Sequence, residues 1–138
     1  MEDLFRVANM SVLPGWLLLL VAPRWKWTQR FCTLFVPLAL GLLYAWLLRN
    51  GLGEGDFGSL AGVMKLFTLP QAAFAGWVHY LIFDLFIGAW ESRDAQKLGI
   101  ARWLVAPCQF LTLMLGPIGL ALYLLMRGGI KKQWEIGA

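Results

Sequence analysis

Charged side chains are scarce in this sequence: Asp, Glu, Lys and Arg make up 14% of its 138 residues, whereas 59% are hydrophobic. Ordinary soluble domains carry about a quarter of charged residues, so the composition excludes that class. The net charge is +4, but the basic residues lie in small groups beside tryptophans, which is typical of a membrane surface and not of a nucleic-acid-binding face. We therefore expect an integral membrane protein that contacts membrane lipids and binds no nucleic acid.

Side chains that could hold a metal are also few. There is one histidine, and the two cysteines, Cys32 and Cys108, lie inside apolar runs without the paired spacing of a zinc or redox site. One histidine cannot supply both axial ligands of a haem within one chain. The stretch Gly53–Gly58 has the form GxGxxG, but no strand precedes it, so it predicts a turn and not a dinucleotide site. We expect no metal and no cofactor.

Four apolar runs are long enough to cross roughly 30 Å of hydrocarbon, which takes about 20 residues each. They predict an all-α fold in a single domain, residues 1–138: an integral membrane bundle of four transmembrane helices, with a short interfacial segment between helices 2 and 3. Glu2 and Asp3 stand where a signal peptide has basic residues, so we expect no cleaved signal peptide. The predicted spans are approximately residues 4–22, 31–48, 71–91 and 103–126.

Helix boundaries follow from proline and glycine. Thr68-Leu69-Pro70-Gln71 predicts the start of the third span, which continues through Asp94 until Gly99 ends it. Gly116-Pro117-Ile118-Gly119 predicts a kink inside the fourth span and a close approach by a neighbouring group. Four crossings would place both termini on one side of the membrane and divide the basic residues evenly between the sides, so charge leaves the orientation open.

The third span contains the candidate catalytic residues, Asp84 and His79. A carboxyl at the centre of a span costs about 2.5–3.5 kcal/mol to insert, so it usually faces the bundle interior or a wet cavity. A neutral carboxylic acid there can donate a proton, and a histidine can accept one. At 100° per residue His79 points about 140° away from Asp84, so a ligand touching both would lie in a slot along the helix. The candidate substrate-binding residues are Trp77, Tyr80, Phe83, Trp90 and Asn9.

A structural reading of the same residues stays open. Asp84 would then pair with Asn9, Tyr44 or Gln109 on another helix, and His79 would be a packing residue. At the end of the third span, acidic and basic side chains emerge together with those that follow the first span, which predicts a salt-bridge cluster. Its members would be Arg24, Lys26, Glu91, Arg93 and Asp94.

Four sequence features occur in the order of a known family. They are Trp77-x-His79, Asp84-Leu85-Phe86, Arg93-Asp94 and Gly116-Pro117-x-Gly119. Together they resemble the abscisic-acid-deficient-four-like, or neoxanthin-synthase-like, integral membrane proteins. Residues 22–27 and Pro107-Cys108 resemble the bacterial branch, which implies the bacterial inner (cytoplasmic) membrane. The plant members are associated with neoxanthin synthesis, so the resemblance implies isomerisation of violaxanthin, in which an epoxide opens and an allene forms without net redox change.

Two functions follow. The first is a cofactor-free isomerase acting on a carotenoid or related isoprenoid lipid, with Asp84 as the acid and His79 as the base or orienting group. The second is a non-catalytic pigment- or quinone-binding scaffold, or an accessory subunit of a membrane complex. Gly58-x-x-x-Gly62 and Ala72-x-x-x-Gly76 would permit close contact between helices, within one chain, in a homo-oligomer or with a membrane-complex partner.

Overall fold

The computed structural model of the protein describes residues 1–53 and 55–137; Glu54, in the predicted turn, and Ala138 lie outside the described residues. Within those ranges all regular secondary structure is helical, which confirms the predicted all-α class. A π-helical turn, Phe31–Phe35, joins α2 to α3. The helices are α1 (Glu2–Val21), α2 (Lys26–Arg30), α3 (Val36–Gly51), α4 (Leu60–Phe67), α5 (Pro70–Leu98) and α6 (Arg102–Lys131).

Four helices are long and apolar enough to cross a membrane: α1, the continuous helix Lys26–Gly51, α5 and α6. The second of these begins at Lys26 and not near residue 31, because part of the basic, tryptophan-rich connection is itself helical. The π-helical turn inside it precedes Pro37. Proline lacks an N–H and its ring crowds the carbonyl four residues earlier. The backbone hydrogen bonds therefore change there from the α-helical to the wider π-helical spacing.

Helix α5 organises the bundle. It begins at Pro70 and ends at Gly99, whose φ of 69° closes the helix in the left-handed conformation, as predicted. Its N-cap is Leu69, and the Thr68 hydroxyl donates a hydrogen bond to the Lys65 carbonyl, so Thr68 does not cap α5. Helix α1 runs parallel to α5, and the helix Lys26–Gly51 runs antiparallel to it.

Small residues allow these three helices to approach closely. A Cβ on Gly15 would lie 3.0 Å from the Leu85 side chain, and one on Gly88 would lie 2.6 Å from the Trp16 ring. In hydrocarbon, helices associate through such van der Waals contacts because lipid removes the hydrophobic driving force. The buried core between the three helices includes Val12, Cys32, Leu40, Leu47, Val78 and Leu85.

Helix α4 occupies the segment that was predicted to lie at the membrane interface. Ser59 caps it by accepting a 3.0 Å hydrogen bond from the Gly62 N–H, and the side chains of Leu60, Met64 and Phe67 are exposed. Both small-residue motifs contain glycines that are in contact within the chain: Gly62 lies against the Asp56 carboxylate, and Gly76 lies against Phe67.

Helix α6 folds back on itself. Leu115 (φ −141°, ψ 42°) and Gly116 (φ 2°, ψ −76°) have non-helical backbone angles directly before Pro117. Beyond this point the two halves of the helix touch, because Gly119 sits against the backbone nitrogen of Thr112 with no room for a Cβ atom. The kink predicted from Gly-Pro-x-Gly is confirmed, and its angle is large enough to reverse the chain. We call residues 102–131 the α6 hairpin.

The reversal changes where the chain ends. A straight helix of this length would extend about 45 Å and carry its last residue to the opposite end of the bundle. Instead the Lys131 ammonium lies 4.0 Å from the position of a Cβ on Gly99, at the start of the hairpin. The end of α6 therefore lies at the same end of the bundle as the α5–α6 turn. The expectation that both termini share one side was wrong because it assumed a straight α6.

This arrangement predicts the labelling pattern of single cysteines in intact membranes. We expect Lys97→Cys and Lys131→Cys to react with a membrane-impermeant thiol reagent added from one side, and Glu2→Cys to react from the other. The native residues Cys32 and Cys108 are 0% and 2% exposed, so their thiols should contribute little background. Labelling of Lys131→Cys from the side of Glu2→Cys would contradict the hairpin and restore a straight span.

Candidate functional site

The α6 hairpin covers one face of α5. The Tyr80 hydroxyl donates a 2.5 Å hydrogen bond to the Leu113 carbonyl, and the Gln109 amide donates to the Gly88 carbonyl at 2.9 Å. The Thr112 hydroxyl donates to Glu91 at 2.8 Å. At 100° per residue Tyr80, Gly88 and Glu91 lie on the same face of α5 as Asp84. The hairpin contacts that face along its length.

Asp84 is the central residue of the 29 in α5 and is partly buried. It lies at the reversal of the hairpin, where a Cβ on Gly116 would stand 2.5 Å from its Oδ1 atom. Its Oδ2 atom is buried and has no hydrogen-bond partner among the described residues. Buried polar atoms are rarely left unpaired, so this atom requires an explanation, such as a bound water, an ion or a catalytic role.

The three structural partners considered for Asp84 are engaged elsewhere. Asn9 accepts a 2.6 Å hydrogen bond from the Trp77 indole, Tyr44 lies beside His79, and Gln109 is bound to the Gly88 carbonyl. The Tyr80 hydroxyl is close enough to the Asp84 carboxyl to interact with it electrostatically. Among the described residues, Asp84 therefore has the Tyr80 phenol beside it and no pairing group from another helix.

Aromatic side chains extend this site towards the lipid. The ring centroids of Trp77 and Tyr80 are 5.2 Å apart. Trp77 is 43% exposed, and Leu115, at the reversal, is 52% exposed. A lipophilic molecule could therefore reach Asp84 sideways from the bilayer. We call the group Asn9, Trp77, Tyr80, Asp84 and Gly116 the hairpin-tip site.

His79 lies outside the hairpin-tip site. Its side chain is exposed and stands between the rings of Phe83, at 4.7 Å, and Tyr44, at 6.0 Å. Phe83 is itself 54% exposed, whereas Trp90 packs edge-on against Tyr123 at 5.4 Å.

The structure brings Asn9, Trp77, Tyr80 and Asp84 together and leaves His79, Phe83 and Trp90 on other faces of α5, as their angular separation from Asp84 dictates.

The predicted salt-bridge cluster is not formed. Asp94 is buried and accepts hydrogen bonds from Arg127 at 2.7 and 3.1 Å and from the Tyr123 hydroxyl at 2.6 Å. In the part of the chain that the structure describes, Arg24, Lys26 and Arg93 are exposed and form no ion pair. The reversal of α6 brings Arg127 to Asp94, and sequence spacing alone could not indicate that.

Glu91 is the residue whose environment sequence reasoning missed. It was expected near the surface, but it is 0% exposed, and its Oε2 atom has no hydrogen-bond partner within the described chain. Thr112, from the first half of the hairpin, supplies its one hydrogen bond. The sequence carries no signal for this burial, because Gly-Pro-x-Gly predicts a kink in α6 and not the angle of that kink. No group of three or more potential metal ligands occurs in residues 1–53 and 55–137.

Comparison with known proteins identifies the family. Residues 3–123 match the family model described as ABA DEFICIENT 4-like. The chain belongs to this family. It is also similar to Protein ABA DEFICIENT 4, chloroplastic, of Arabidopsis thaliana, with 28% identity over 146 aligned positions. That alignment includes 97% of this chain and 64% of the relative, so the chain spans about two thirds of the relative's length. No solved structure matches.

The family match supports the resemblance found in the sequence. It extends from the start of α1 to Tyr123 and so contains the whole hairpin-tip site. It ends before Arg127, which anchors the second half of the hairpin to Asp94. The apolar helices and this family membership make the chain a membrane protein.

Proposed function

We propose that the protein is a membrane isomerase acting on a carotenoid or a related isoprenoid lipid, with Asp84 as the catalytic acid. One observation carries the proposal: a carboxyl at the centre of a span, with a buried oxygen that no described residue satisfies, beside a lipid-facing group of aromatic rings. The family membership favours a carotenoid-related role. The resemblance of residues 22–27 to bacterial members favours the bacterial inner membrane.

The chemistry suits a single neutral carboxyl group. In the isomerisation of an allylic epoxide to an allene, a proton goes to the epoxide oxygen as its C–O bond breaks, and a proton leaves the neighbouring vinylic carbon. One proton enters and one leaves, so no oxidant is required. The two reacting positions lie close together in such a molecule. The Asp84 carboxyl donates from one oxygen and accepts at the other, which restores its own proton.

The other members of the hairpin-tip site bind and orient. The Tyr80 hydroxyl is held by the Leu113 carbonyl and stands beside the Asp84 carboxyl group, where it limits the orientations that the carboxyl group can take. Trp77, held by Asn9, offers an indole face to a polyene. His79 faces lipid on another side of α5 and takes no step in this scheme, which replaces its predicted role as the base.

The test is a pigment analysis of membranes. The protein is produced in a bacterial strain that accumulates violaxanthin, and the carotenoids of the membranes and of the purified protein are separated by chromatography with absorption detection. The proposal expects a new isomer of unchanged mass in membranes containing the protein. An empty-vector strain is the control. Unchanged membrane carotenoids at normal protein levels would overturn the assignment of violaxanthin-type epoxides as substrate.

A second function, pigment or quinone binding without chemistry, is favoured by a separate feature. His79, Phe83 and Phe86 form an exposed aromatic strip on α5, away from Asp84. A scaffold of this kind would retain a stoichiometric pigment or quinone through purification in mild detergent and would convert nothing. His79→Ala would then reduce the bound pigment, whereas the isomerase proposal expects no change in conversion from that substitution.

A further inference from the structure

A cavity of about 590 Å³ opens at the end of the bundle where α1 and α5 finish and α6 begins. It is separate from the hairpin-tip site, which lies at the middle of α5. Its polar lining consists of Arg24, Ser92, Gln96, Arg102 and Gln109, and Trp103 stands at its exposed edge. Tryptophan and arginine at a helix end are typical of the boundary between hydrocarbon and water.

An apolar groove of about 270 Å³ continues from this cavity towards the centre of the membrane. It runs between α1 and the first half of the hairpin, from Leu20 to Trp16 on one wall and from Ala106 to Leu113 on the other. The cavity and the groove share four lining residues, Leu19, Leu20, Ala106 and Gln109. The two therefore adjoin, with a polar part at the surface and an apolar part inside, which suits an amphipathic ligand.

The polar end is basic. Its charged side chains are Arg24 and Arg102, and no Asp or Glu of the described chain lines it. Arg24 has no hydrogen bond or ion pair among the described residues. Arg102 donates a hydrogen bond from one guanidinium nitrogen to the Leu20 carbonyl. The amide groups of Gln96 and Gln109 donate to the carbonyls of Pro23 and Gly88. The free donors at this end are therefore mainly guanidinium groups, which match phosphate oxygens in geometry and charge.

We propose that this space binds an anionic phospholipid. Its phosphate lies between Arg24 and Arg102, and one acyl chain follows the apolar groove. A zwitterionic lipid would bring a cationic group against two arginines with no acidic residue to receive it. Basic pockets between membrane helices bind acidic head groups for the same reason. This site is independent of the proposed isomerase chemistry, because it uses none of the hairpin-tip residues.

The test is a lipid titration of the full-length protein in neutral detergent, read by native mass spectrometry. We expect phosphatidylglycerol to bind at least about tenfold more tightly than phosphatidylcholine, because both lipids present a phosphate to the arginines but only phosphatidylcholine brings a cationic group with it, and no Asp or Glu of the described chain lines the cavity. Arg24→Gln and Arg102→Gln should each remove most of that preference. Arg93→Gln, an equal change of charge on an exposed arginine outside the cavity, should leave it within about twofold. Ala106→Phe, which fills the shared part of the groove, should weaken phosphatidylglycerol binding as well.

Three results would overturn the proposal. Equal binding of the two lipids would remove the head-group selectivity. A loss in Arg93→Gln as large as in Arg24→Gln would mean attraction to surface charge in general. Displacement of phosphatidylglycerol by inorganic phosphate, with Ala106→Phe behaving as wild type, would mean an anion site that uses no acyl chain. None of these measurements involves a carotenoid, so failure here leaves the isomerase proposal unaffected.

Discussion

Asp84→Asn is expected to lower the rate of isomer formation by about 10²- to 10⁴-fold, the contribution usual for a positioned general acid or base. Asparagine keeps the size and planarity of the side chain but has no proton acidic enough to open an epoxide. The Oδ2 atom has no partner in the described chain, so the substitution breaks no hydrogen bond at that atom. The measurement is the initial rate of product accumulation, normalised to the protein present in the membrane.

The fold of the Asp84→Asn variant should be retained. An amide is neutral, as the protonated carboxyl group is, so the substitution adds no charge at the centre of the span. Asp3→Asn, the same change on an exposed residue in the first turn of α1, is the matched control and should convert at the wild-type rate. A correctly inserted Asp84→Asn variant with wild-type activity would exclude Asp84 as the acid.

The sequence predicted those parts of the structure that depend on local chemistry. Pro70 begins α5 because the first turn of a helix does not need the N–H that proline lacks. Gly99 ends it because glycine readily adopts a positive φ. Both properties are local. The face of α5 that carries Tyr80 and Asp84 followed from 100° per residue. The angular separation of His79 from Asp84 was read correctly too. The prediction that one ligand contacts both His79 and Asp84 came from the need for an acid and a base, and not from the spacing of the two residues.

The reversal of α6 could not be predicted in the same way. Residues 103–126 have the length and apolarity of a complete span, and a Gly-Pro-x-Gly sequence gives a kink without giving its angle. The angle depends on the backbone of Leu115 and Gly116 and on the contact between Gly119 and Thr112. Glu91 and Asp94 are buried by the same reversal, so neither their burial nor their hydrogen-bond partners could be predicted from the sequence.

Arg127→Gln is expected to release the second half of the α6 hairpin from α5. The ion pair of Arg127 with Asp94 is almost fully buried, with side-chain exposures of 3% and 10%. Removing one partner of such a pair typically costs about 3–5 kcal/mol, because the other charge stays buried without compensation. Arg127 also donates to the carbonyls of Gln133 and Glu135, at 2.5 and 3.0 Å, so the segment after α6 loses its anchor too. Lysine should not substitute well, since it lacks the planar fork that makes several bonds at once.

The two native cysteines measure this release without further engineering. Cys108 lies in the first half of the hairpin and packs with Tyr123, so its thiol should react much faster with a small lipid-permeable reagent in Arg127→Gln than in wild type. Cys32 lies in the core between α1, α3 and α5 and should remain protected, which distinguishes local opening from global unfolding. Lys131→Gln, an exposed change at the same end of α6, is the control and should label like wild type.

A double variant tests why Arg127→Gln releases the second half of the hairpin. The cause is either the loss of the ion pair itself or the Asp94 charge that is left buried without a partner. Arg127→Met combined with Asp94→Leu removes both charges, and replacing a buried pair by apolar groups is often neutral or stabilising. Cys108 protection should therefore return in the double variant although the Arg127–Asp94 contact is gone. If protection stays lost, the hydrogen bonds of Arg127 to the residues after α6, or that of Tyr123 to Asp94, hold the hairpin instead. If Arg127→Gln alone leaves Cys108 protected, the second half is held by the packing of Gly119 against Thr112, and the ion pair is dispensable for the reversal.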